Sequence, residues 1–334
     1  MQKVSKNCNI LYANANGITG KMDSLKIAAK LHNAHIITIT ETKTITEPPK
    51  LDGYKWIPKS RKGRLGGGVA MAVRQDIANN VKEVPDLEDQ NQEVLWTQVS
   101  HGTQKTFIGT YYGLQETANK EDVENEFSQL TTQIMKLKER GEVILTGDFN
   151  AKLKINTTGC NQTASRNGKL MQKMIKETDM KPITINQEGE MWTGVKRKNT
   201  DEKSVIDYIL ATNQIADKAP NTNVDQSGLY RLAGKEESDH NTIIMTANLN
   251  MKKEVRKIKK ICTSNAEGWT QYNSAMKQKH EDSPCTDYKM LQNRIMETIE
   301  QTVGIKTITI KNEKSWEPEE IKQLRQQKKP IERN

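Results

Sequence analysis

Apolar residues recur along the chain with two different periods, and the switches between them predict its elements. Asn9-Ile-Leu-Tyr-Ala is a short buried run that gives way to the turn-forming Asn14-Ala-Asn-Gly, after which residues 22–33 place Leu25, Ala28 and Ala29 on one helical face. His35-Ile-Ile-Thr-Ile-Thr then reads as a buried strand ending at Glu41. A carboxylate just past the end of such a strand is held rigidly and still meets solvent. Gly66-Gly-Gly precedes the apolar run Val69-Ala-Met-Ala-Val-Arg, and residues 94–100 and 105–112 alternate on either side of His101-Gly-Thr-Gln as a hairpin. Val123, Phe127, Leu130, Ile134 and Leu137 have the spacing of an amphipathic helix, which feeds directly into the strand Val143-Ile-Leu-Thr-Gly-Asp148. A helix over 167–178 with Leu170, Met171, Met174 and Ile175 follows, then strands at Met191-Trp-Thr, Val205–Leu210 and Thr242–Ala247.

This succession holds two β-helix-β stretches, each ending in acidic or amide residues. It predicts an α/β chain of two packed sheets with helices outside, a two-sheet sandwich whose polar groups collect where strand ends meet. Beyond Asn250 the pattern changes to the basic stretch Lys252–Lys260, a polar helix with Leu291, Ile295, Ile299 and Val303, and Ser315-Trp-Glu-Pro-Glu-Glu as a further helix start. We therefore expect an α/β domain over residues 1–250 and a basic, mostly helical extension over 251–334. The extension has too few apolar residues to bury a core of its own.

Charge sharpens this division. Residues 251–334 hold 18 Lys and Arg against 12 Asp and Glu, so +6 of the net +9 lies there. Such a tail favours a polyanion, nucleic acid or an acidic membrane surface. The mean hydropathy is −0.79, no apolar run is long enough to span a bilayer, and the first residues lack the apolar region of a signal peptide, so neither secretion nor membrane insertion is expected. Cys8, Cys160, Cys262 and Cys285 form no C-x-x-C pair and read as free thiols of a reducing compartment.

Three segments concentrate polar groups at strand ends. The first is Asn14 and Asn16 with Glu41, the second Gly147-Asp148-Phe-Asn150, and the third Asp207 with Ser238-Asp239-His240. Each has an ordinary reading as well: turn chemistry beside Gly17, a solvated strand end, a tight Gly-Asp turn, a surface His beside an Asp. In a strand-like segment Asp148 and Asn150 face the same way and serve one site. A histidine that assists phosphate chemistry needs an orienting carboxylate, and Asp207, acidic within an apolar strand, is the natural candidate for His240. Phosphodiester cleavage gives the groups a joint purpose, since a hard divalent cation wants oxygen ligands, a water must be activated, and the phosphorane needs compensating charge. No P-loop, G-x-S-x-G elbow or H-E-x-x-H motif offers a different chemistry.

Taken in order, Leu11-Tyr-Ala-Asn14-Ala-Asn16-Gly17, Thr40-Glu41-Thr42, Gly66-Gly-Gly-Val-Ala, Thr110-Tyr-Tyr112, Gly147-Asp148-Phe149-Asn150, Ile206-Asp207-Tyr208 and Ser238-Asp239-His240 resemble the endonuclease/exonuclease/phosphatase superfamily. Within it, Asn-Ala-Asn-Gly and the Gly-rich strand look most like the apurinic-type endonuclease domain that begins the second reading frame of non-LTR (LINE-type) retrotransposons. The resemblance spans about residues 8–248 and implies a DNase-I-like sandwich with its site at one sheet edge. It further implies that Glu41 binds Mg²⁺, for which Mn²⁺ can substitute, with help from Asn14, and that Asp239 completes the charge there. Asp148 would activate the attacking water, Asn150 hold a phosphate oxygen, and His240, oriented by Asp207, stabilise the phosphorane. Tyr112 would sit beside the leaving or a non-bridging oxygen, Asn16 would help to position the scissile phosphate, and Thr193 would contact the DNA backbone. Arg61 and Arg64, in a basic loop before the glycine-rich strand, read either as phosphate contacts or as part of a merely solvated loop.

The implied activity is a nick in double-stranded DNA that leaves a 3′-hydroxyl to prime reverse transcription, in the nucleus, with element RNA as a further partner of the basic C-terminal region. The chain reads as a partial open reading frame, and its oligomeric state and target site are open. A phosphatase acting on inositol phosphates or phospholipids, and a catalytically inactive nucleic-acid-binding module, are the alternatives.

Overall fold

Ile10, Leu11, Tyr12 and Ala13 point alternately to opposite faces of one strand, and all four are buried. A strand covered on both sides must lie inside a layered structure, and the computed structural model shows those layers. It describes residues 4–5, 7–61, 66–87, 92–101, 103–157, 160–185, 190–195, 203–218, 221–231, 238–249, 251–252 and 257–309. The chain divides into two compact units, Met1–Lys253 and Glu254–Asn334.

In the first unit the chain runs β1 (Cys8–Asn14), α1 (Met22–Leu31), β2 (Ile36–Thr40), β3 (Tyr54–Lys59), β4 (Val69–Arg74), β5 (Val81–Glu83), β6 (Val94–His101), β7 (Gln104–Tyr112), α2 (Lys120–Lys138), β8 (Glu142–Asp148), α3 (Arg166–Thr178), β9 (Met180–Pro182), β10 (Asp207–Thr212), α4 (Asn213–Ala216), β11 (Asn221–Val224) and β12 (Ile243–Ala247). Two six-stranded sheets result, ordered β11-β12-β1-β2-β4-β3 and β9-β10-β8-β7-β6-β5. Each sheet has one parallel pair, β1 with β2 and β7 with β8, joined by α1 and α2 respectively. These are the two β-helix-β stretches expected from the sequence.

Between the sheets lies one apolar layer, with Ile10, Tyr12, Met71 and Val73 from the first sheet and Leu95, Ile108, Ile144 and Ile209 from the second. Leu11, Ala13, Ile37 and Ile39 face the other way and pack with Leu25, Ala28 and Ala29 of α1. On the outer side of the second sheet, α2 buries Val123, Phe127, Leu130, Ile134 and Leu137, and the Trp96 indole donates to Gln133 at 2.9 Å. Asn119 caps α2 by accepting the Glu121 N–H, and Glu121 and Asp122 in its first turn suit the helix dipole.

Two sequence expectations require correction. Met191-Trp-Thr is not a strand; the extended pair begins one residue later, at Gly194–Val195. Tyr54–Lys59 was not recognised because Pro58 interrupts it, and it is an edge strand, where the missing N–H is tolerated. The second unit holds β13 (Lys257–Ile261), α5 (Ala266–Asp282), α6 (Tyr288–Thr302) and β14 (Ile305–Thr309), with β13 and β14 paired antiparallel. The expected helix carrying Leu291 and Ile299 is α6, whereas the two-stranded ribbon left no pattern that the sequence revealed. The helix start at Ser315 lies outside the described residues. Among the described residues no helix is long and apolar enough to cross a membrane.

Candidate active site

Strand termini converge at one edge of the sandwich because the pairing registers end there together. Asn14, the last residue of β1, pairs with Thr40, the last of β2, so that Glu41 emerges beside it. Asp148, the last residue of β8, pairs with Asp207, the first of β10. His240 lies just ahead of β12 and is bridged to Gly194. Gly147 is required before Asp148, since a Cβ there would stand 2.1 Å from the Tyr111 carbonyl oxygen.

Asp148 occupies the centre and is 1% exposed. Its Oδ1 accepts the Asn150 backbone N–H at 2.9 Å. Its Oδ2 accepts from the Asn14 side-chain amide at 3.1 Å, and the same amide nitrogen donates to Glu41 Oε1 at 3.0 Å. The Asn14 oxygen is engaged by the Asn16 N–H at 3.1 Å, which fixes the orientation of the amide. Asn14 therefore turns nitrogen, not oxygen, toward the carboxylates, and in this orientation it is a bridging donor and not the metal ligand that the sequence suggested.

On the other flank, His240 Nδ1 is 2.8 Å from Asp207 Oδ2, and the buried Tyr12 hydroxyl donates to Asp207 Oδ1 at 2.7 Å. An ionised Asp207 accepts, so Nδ1 carries the hydrogen and Nε2 faces the cleft, 3.8 Å from Asp148 Oδ2 and 3.6 Å from Asp239 Oδ1. The Ser238 hydroxyl accepts the His240 N–H and donates to the Asn14 carbonyl, both at 3.1 Å, tying the two flanks together.

Charge in this space is strongly coupled. Burial alone would lower the His240 pKa, but the carboxylates of Asp207, Asp148 and Asp239 outweigh it and raise the imidazole from 6.5 to about 10. Burial and the neighbouring Asp207 charge push Asp148 up to about 7. Burial, reinforced by the charges of Glu41 and Asp148, holds the Tyr112 phenol far above its ordinary range, so it is a hydrogen-bond donor at any relevant pH.

The backbone is unusual in the same place. Asn16, Glu41, Lys43 and Asn150 have φ of 45°, 51°, 52° and 46°. For Asn this left-handed conformation is common, but for Glu and Lys it costs about 1–2 kcal/mol each. Hydrogen bonds hold the strained segment: the Gly17 N–H donates to the Glu41 carbonyl at 2.8 Å, and the Thr42 and Lys43 N–H groups to the Gly68 and Gly67 carbonyls at 3.1 and 2.8 Å. Asn150 is thus not the strand neighbour that faces with Asp148; it has left the strand, and its side chain donates to the Gly113 carbonyl at 2.9 Å.

A cleft of about 610 Å³ opens over these groups, lined by Asn16, Glu41, Tyr112, Asp148, Asn150 and His240 among others. Glu41, Asp148 and His240 each offer a ligand atom within 4.8 Å of the others. Two carboxylates bridged by one amide nitrogen leave negative charge uncompensated, and this oxygen-rich set fits a hard divalent cation. Asp239, expected to share the metal, is outside that group and stands beside His240 with its side chain 46% exposed.

Thr193, expected at the DNA backbone, is fully buried, and its hydroxyl accepts the N–H groups of Ile206 and Asp207 at 3.1 Å each. It anchors the start of β10 beneath the surface. Arg61 donates through Nε to Glu93, and its guanidinium lies 5.6 Å over the Tyr112 ring. Glu93 also accepts the Gly68 N–H at 2.6 Å. Arg61 is thus placed to steady Tyr112, and Arg64 lies outside the described residues. Sequence reasoning missed Tyr12, Lys43 and Glu93. Tyr12 was detectable, because it lies two residues before Asn14 and so shares its face of β1. Lys43 reaches Asn16 Oδ1 and lies 3.6 Å from Glu41, whereas Glu93 had no local signal.

Two mixed sheets with a cluster of carboxylates, amides and a carboxylate-bound imidazole at one edge define the class by fold: an α/β sandwich of the DNase-I-like kind, shared with apurinic endonucleases. More narrowly, residues 106–244 match the family model described as endonuclease-reverse transcriptase. Among solved structures, the endonuclease domain of TRAS1, a telomere-specific non-LTR retrotransposon, matches with a TM-score of 0.56 at 20% identity, covering 72% of this chain and 99% of that one. The AP endonuclease LMAP from Leishmania major matches with a TM-score of 0.60 at 13% identity, over 74% and 92% of the two chains. The 3′ phosphatase NExo from Neisseria, bound to product DNA hairpin, gives 0.56 at 18%, over 71% and 98%. No curated protein matches the chain.

Proposed function

We propose that the protein is a divalent-metal-dependent DNA endonuclease that hydrolyses one phosphodiester and leaves a 3′-hydroxyl. The observation that carries this reading is the paired arrangement around Asp148: a bridged carboxylate pair open to a cation on one side and a carboxylate-held imidazole on the other, 3.8 Å away. Glu41 and Asp148 are the residues that would hold Mg²⁺ or Mn²⁺, which when bound would supply Lewis-acid charge to the phosphate oxygens, while His240, with both ring nitrogens protonated, stays outside the ligand set.

Asp148 accepts a proton from the attacking water, and its pKa of about 7 suits general-base work near neutrality. His240, cationic below about pH 10, presents Nε2–H to the phosphorane oxygens. Asp207 keeps the ring turned so that Nδ1 is occupied, while the Tyr12 hydroxyl and the backbone anchored by Thr193 keep Asp207 in place. The neutral Tyr112 phenol donates to a phosphate or leaving oxygen, and Asn16 and Asn150 line the cleft where strand oxygens would lie. In balance, the water's hydroxyl joins phosphorus, the bond from phosphorus to the 3′-oxygen breaks, and that oxygen takes up a proton. In this reading the nick primes reverse transcription of a non-LTR element, which would place the protein in the nucleus, with element RNA as a partner of the basic residues beyond 250.

Conversion of supercoiled plasmid to open circles by the full chain, in Mg²⁺ but not in EDTA, tests the proposal. Loss of nicking in Asp148→Ala and His240→Ala supports it; intact plasmid with every divalent metal overturns it. NExo's description as a 3′ phosphatase favours one second reading, and release of inorganic phosphate from a 3′-phosphorylated strand without nicking would select it.

A further inference from the structure

The strands that deliver Tyr112 and Asp148 to the cleft begin at a second cavity. It measures about 270 Å³ and is lined by the end of β6, the starts of β7 and β8, α4 with Lys218, and the residues just past β12. From Lys105 at this end of β7 to Tyr112 at the other is roughly 23 Å, at about 3.3 Å per residue.

The two ends of the same strands carry opposite chemistry. Where the cleft gathers carboxylates, the second cavity is lined by Lys105, Arg140, Lys218 and His101, with Glu142 as the only acidic lining residue among the described residues. Glu142 is already engaged by the Thr212 hydroxyl. Arg140 gives Nη1 to Asp86 at 2.9 Å and lies over the Phe107 ring, which leaves its other nitrogens in a fixed plane. Among the described residues, Lys105 and Lys218 have no carboxylate partner.

His101 adds an independent indication. Its Nε2 is 2.9 Å from the Thr106 hydroxyl, whereas its Nδ1 is buried without a hydrogen-bond partner among the described residues. A buried polar atom left without a partner costs about 1–3 kcal/mol. That atom is sheltered from the cavity, and burial and the Lys218 charge both lower the imidazole pKa, so the ring registers the cations around it. An oxyanion in the cavity would offset this cationic lining by accepting charge-assisted hydrogen bonds from lysine.

We propose that this cavity binds a phosphate monoester, carried either by a free nucleotide or by the 5′ end of a nucleic-acid strand separate from the one being cut. Diffuse attraction would need no cavity, while a phosphate group accepting charge-assisted hydrogen bonds fits a cavity lined by Lys105, Arg140 and Lys218. The site is distinct from the cleft and does not depend on whether the cleft nicks DNA.

The test is a titration of the full chain, labelled with ¹³C at histidine Cε1, using inorganic phosphate, a nucleoside 5′-monophosphate, and a short oligonucleotide with and without a 5′-phosphate. The His101 resonance, assigned with His101→Gln, is expected to shift saturably and to titrate at higher pH when the ligand is bound. Lys105→Gln with Lys218→Gln, both at exposed positions, should weaken binding about tenfold or more, the equivalent of losing one charge-assisted hydrogen bond, and leave the other histidine resonances and nicking unchanged. A response to the nucleotide identifies the free ligand, and a response only to the 5′-phosphorylated oligonucleotide identifies a strand end. No shift of His101 with any probe, or an equal shift in the double lysine variant, overturns the proposal.

Discussion

The two flanks of Asp148 are built on opposite principles. On the Asp207 flank the orienting groups are all assigned: Tyr12 and His240 occupy both Asp207 carboxylate oxygens, the Thr193 hydroxyl takes the backbone N–H groups, and Ser238 locks the His240 backbone. On the Glu41 flank a half-buried carboxylate sits on a left-handed backbone and shares a single amide with Asp148. One flank is finished by the fold, and the other, on the proposed function, is the one a cation would complete. The lesson is that the imidazole must be oriented before substrate arrives, which takes buried partners, whereas a metal site must keep open valences, which excludes them.

The sharpest way to break that comparison is at its centre. Asp148→Asn keeps the shape and removes the base, so nicking should fall by about 10²–10⁴-fold while the melting temperature in EDTA does not drop; retention of a tenth of the activity would end Asp148's central role. On the finished flank, Asp207→Asn should lower the rate by about 10–100-fold and bring the His240 titration down from about 10, followed by NMR. An unmoved His240 titration would show that Asp207 does not control it.

On the open flank the expected effect is smaller and conditional. Glu41→Gly should raise the Mg²⁺ concentration needed for half-maximal nicking by about tenfold, with activity regained at high Mg²⁺. Its melting temperature should not fall, because Gly adopts a φ of 51° without the cost a Glu carries. A clear loss of stability would mean that Glu41 serves the fold.

The smallest effect concerns pH. Asp148 at about 7 and His240 at about 10 both hold protons more tightly folded than unfolded, against ordinary values of 3.8 and 6.5. The stability each provides is complete below its unfolded pKa and is lost as pH rises through its folded one. In EDTA, the Asp148 contribution to melting temperature should therefore be lost between about pH 3.8 and 7 and that of His240 between about 6.5 and 10, and His240→Gln should flatten the decline in the upper window. An identical slope in the variant would remove His240 from the account.

Much of the frame was legible because it rests on local periodicity. The spacing of Val123 through Leu137 yielded α2 within a few residues, and the apolar runs ending at Asn14, Glu41 and Asp148 yielded β1, β2 and β8 with their polar ends. The elements that were missed depend on partners distant in the chain: Tyr54–Lys59 is a strand only because β4 lies beside it, and Lys257–Ile261 only because Ile305–Thr309 returns to it. Thr193 was misplaced for a related reason, since nothing in Trp-Thr-Gly reveals that the hydroxyl will meet the backbone of Ile206 and Asp207.

By itself the sequence determined which residue types stand at strand ends, and hence that carboxylates, amides and one imidazole would be held at a sheet edge; alternation and burial decide that over a few residues. Only the tertiary structure decided their relations: that Asp148 and Asp207 are register partners, that Asn14 turns its nitrogen to both carboxylates, that Arg61 belongs to Glu93 and Tyr112, and that a basic cavity lies at the far end of the same strands. Such relations join residues as much as 224 positions apart, as Ser238 and Asn14 show, and depend on sheet register and the packing of one sheet on the other, which no local window of sequence contains.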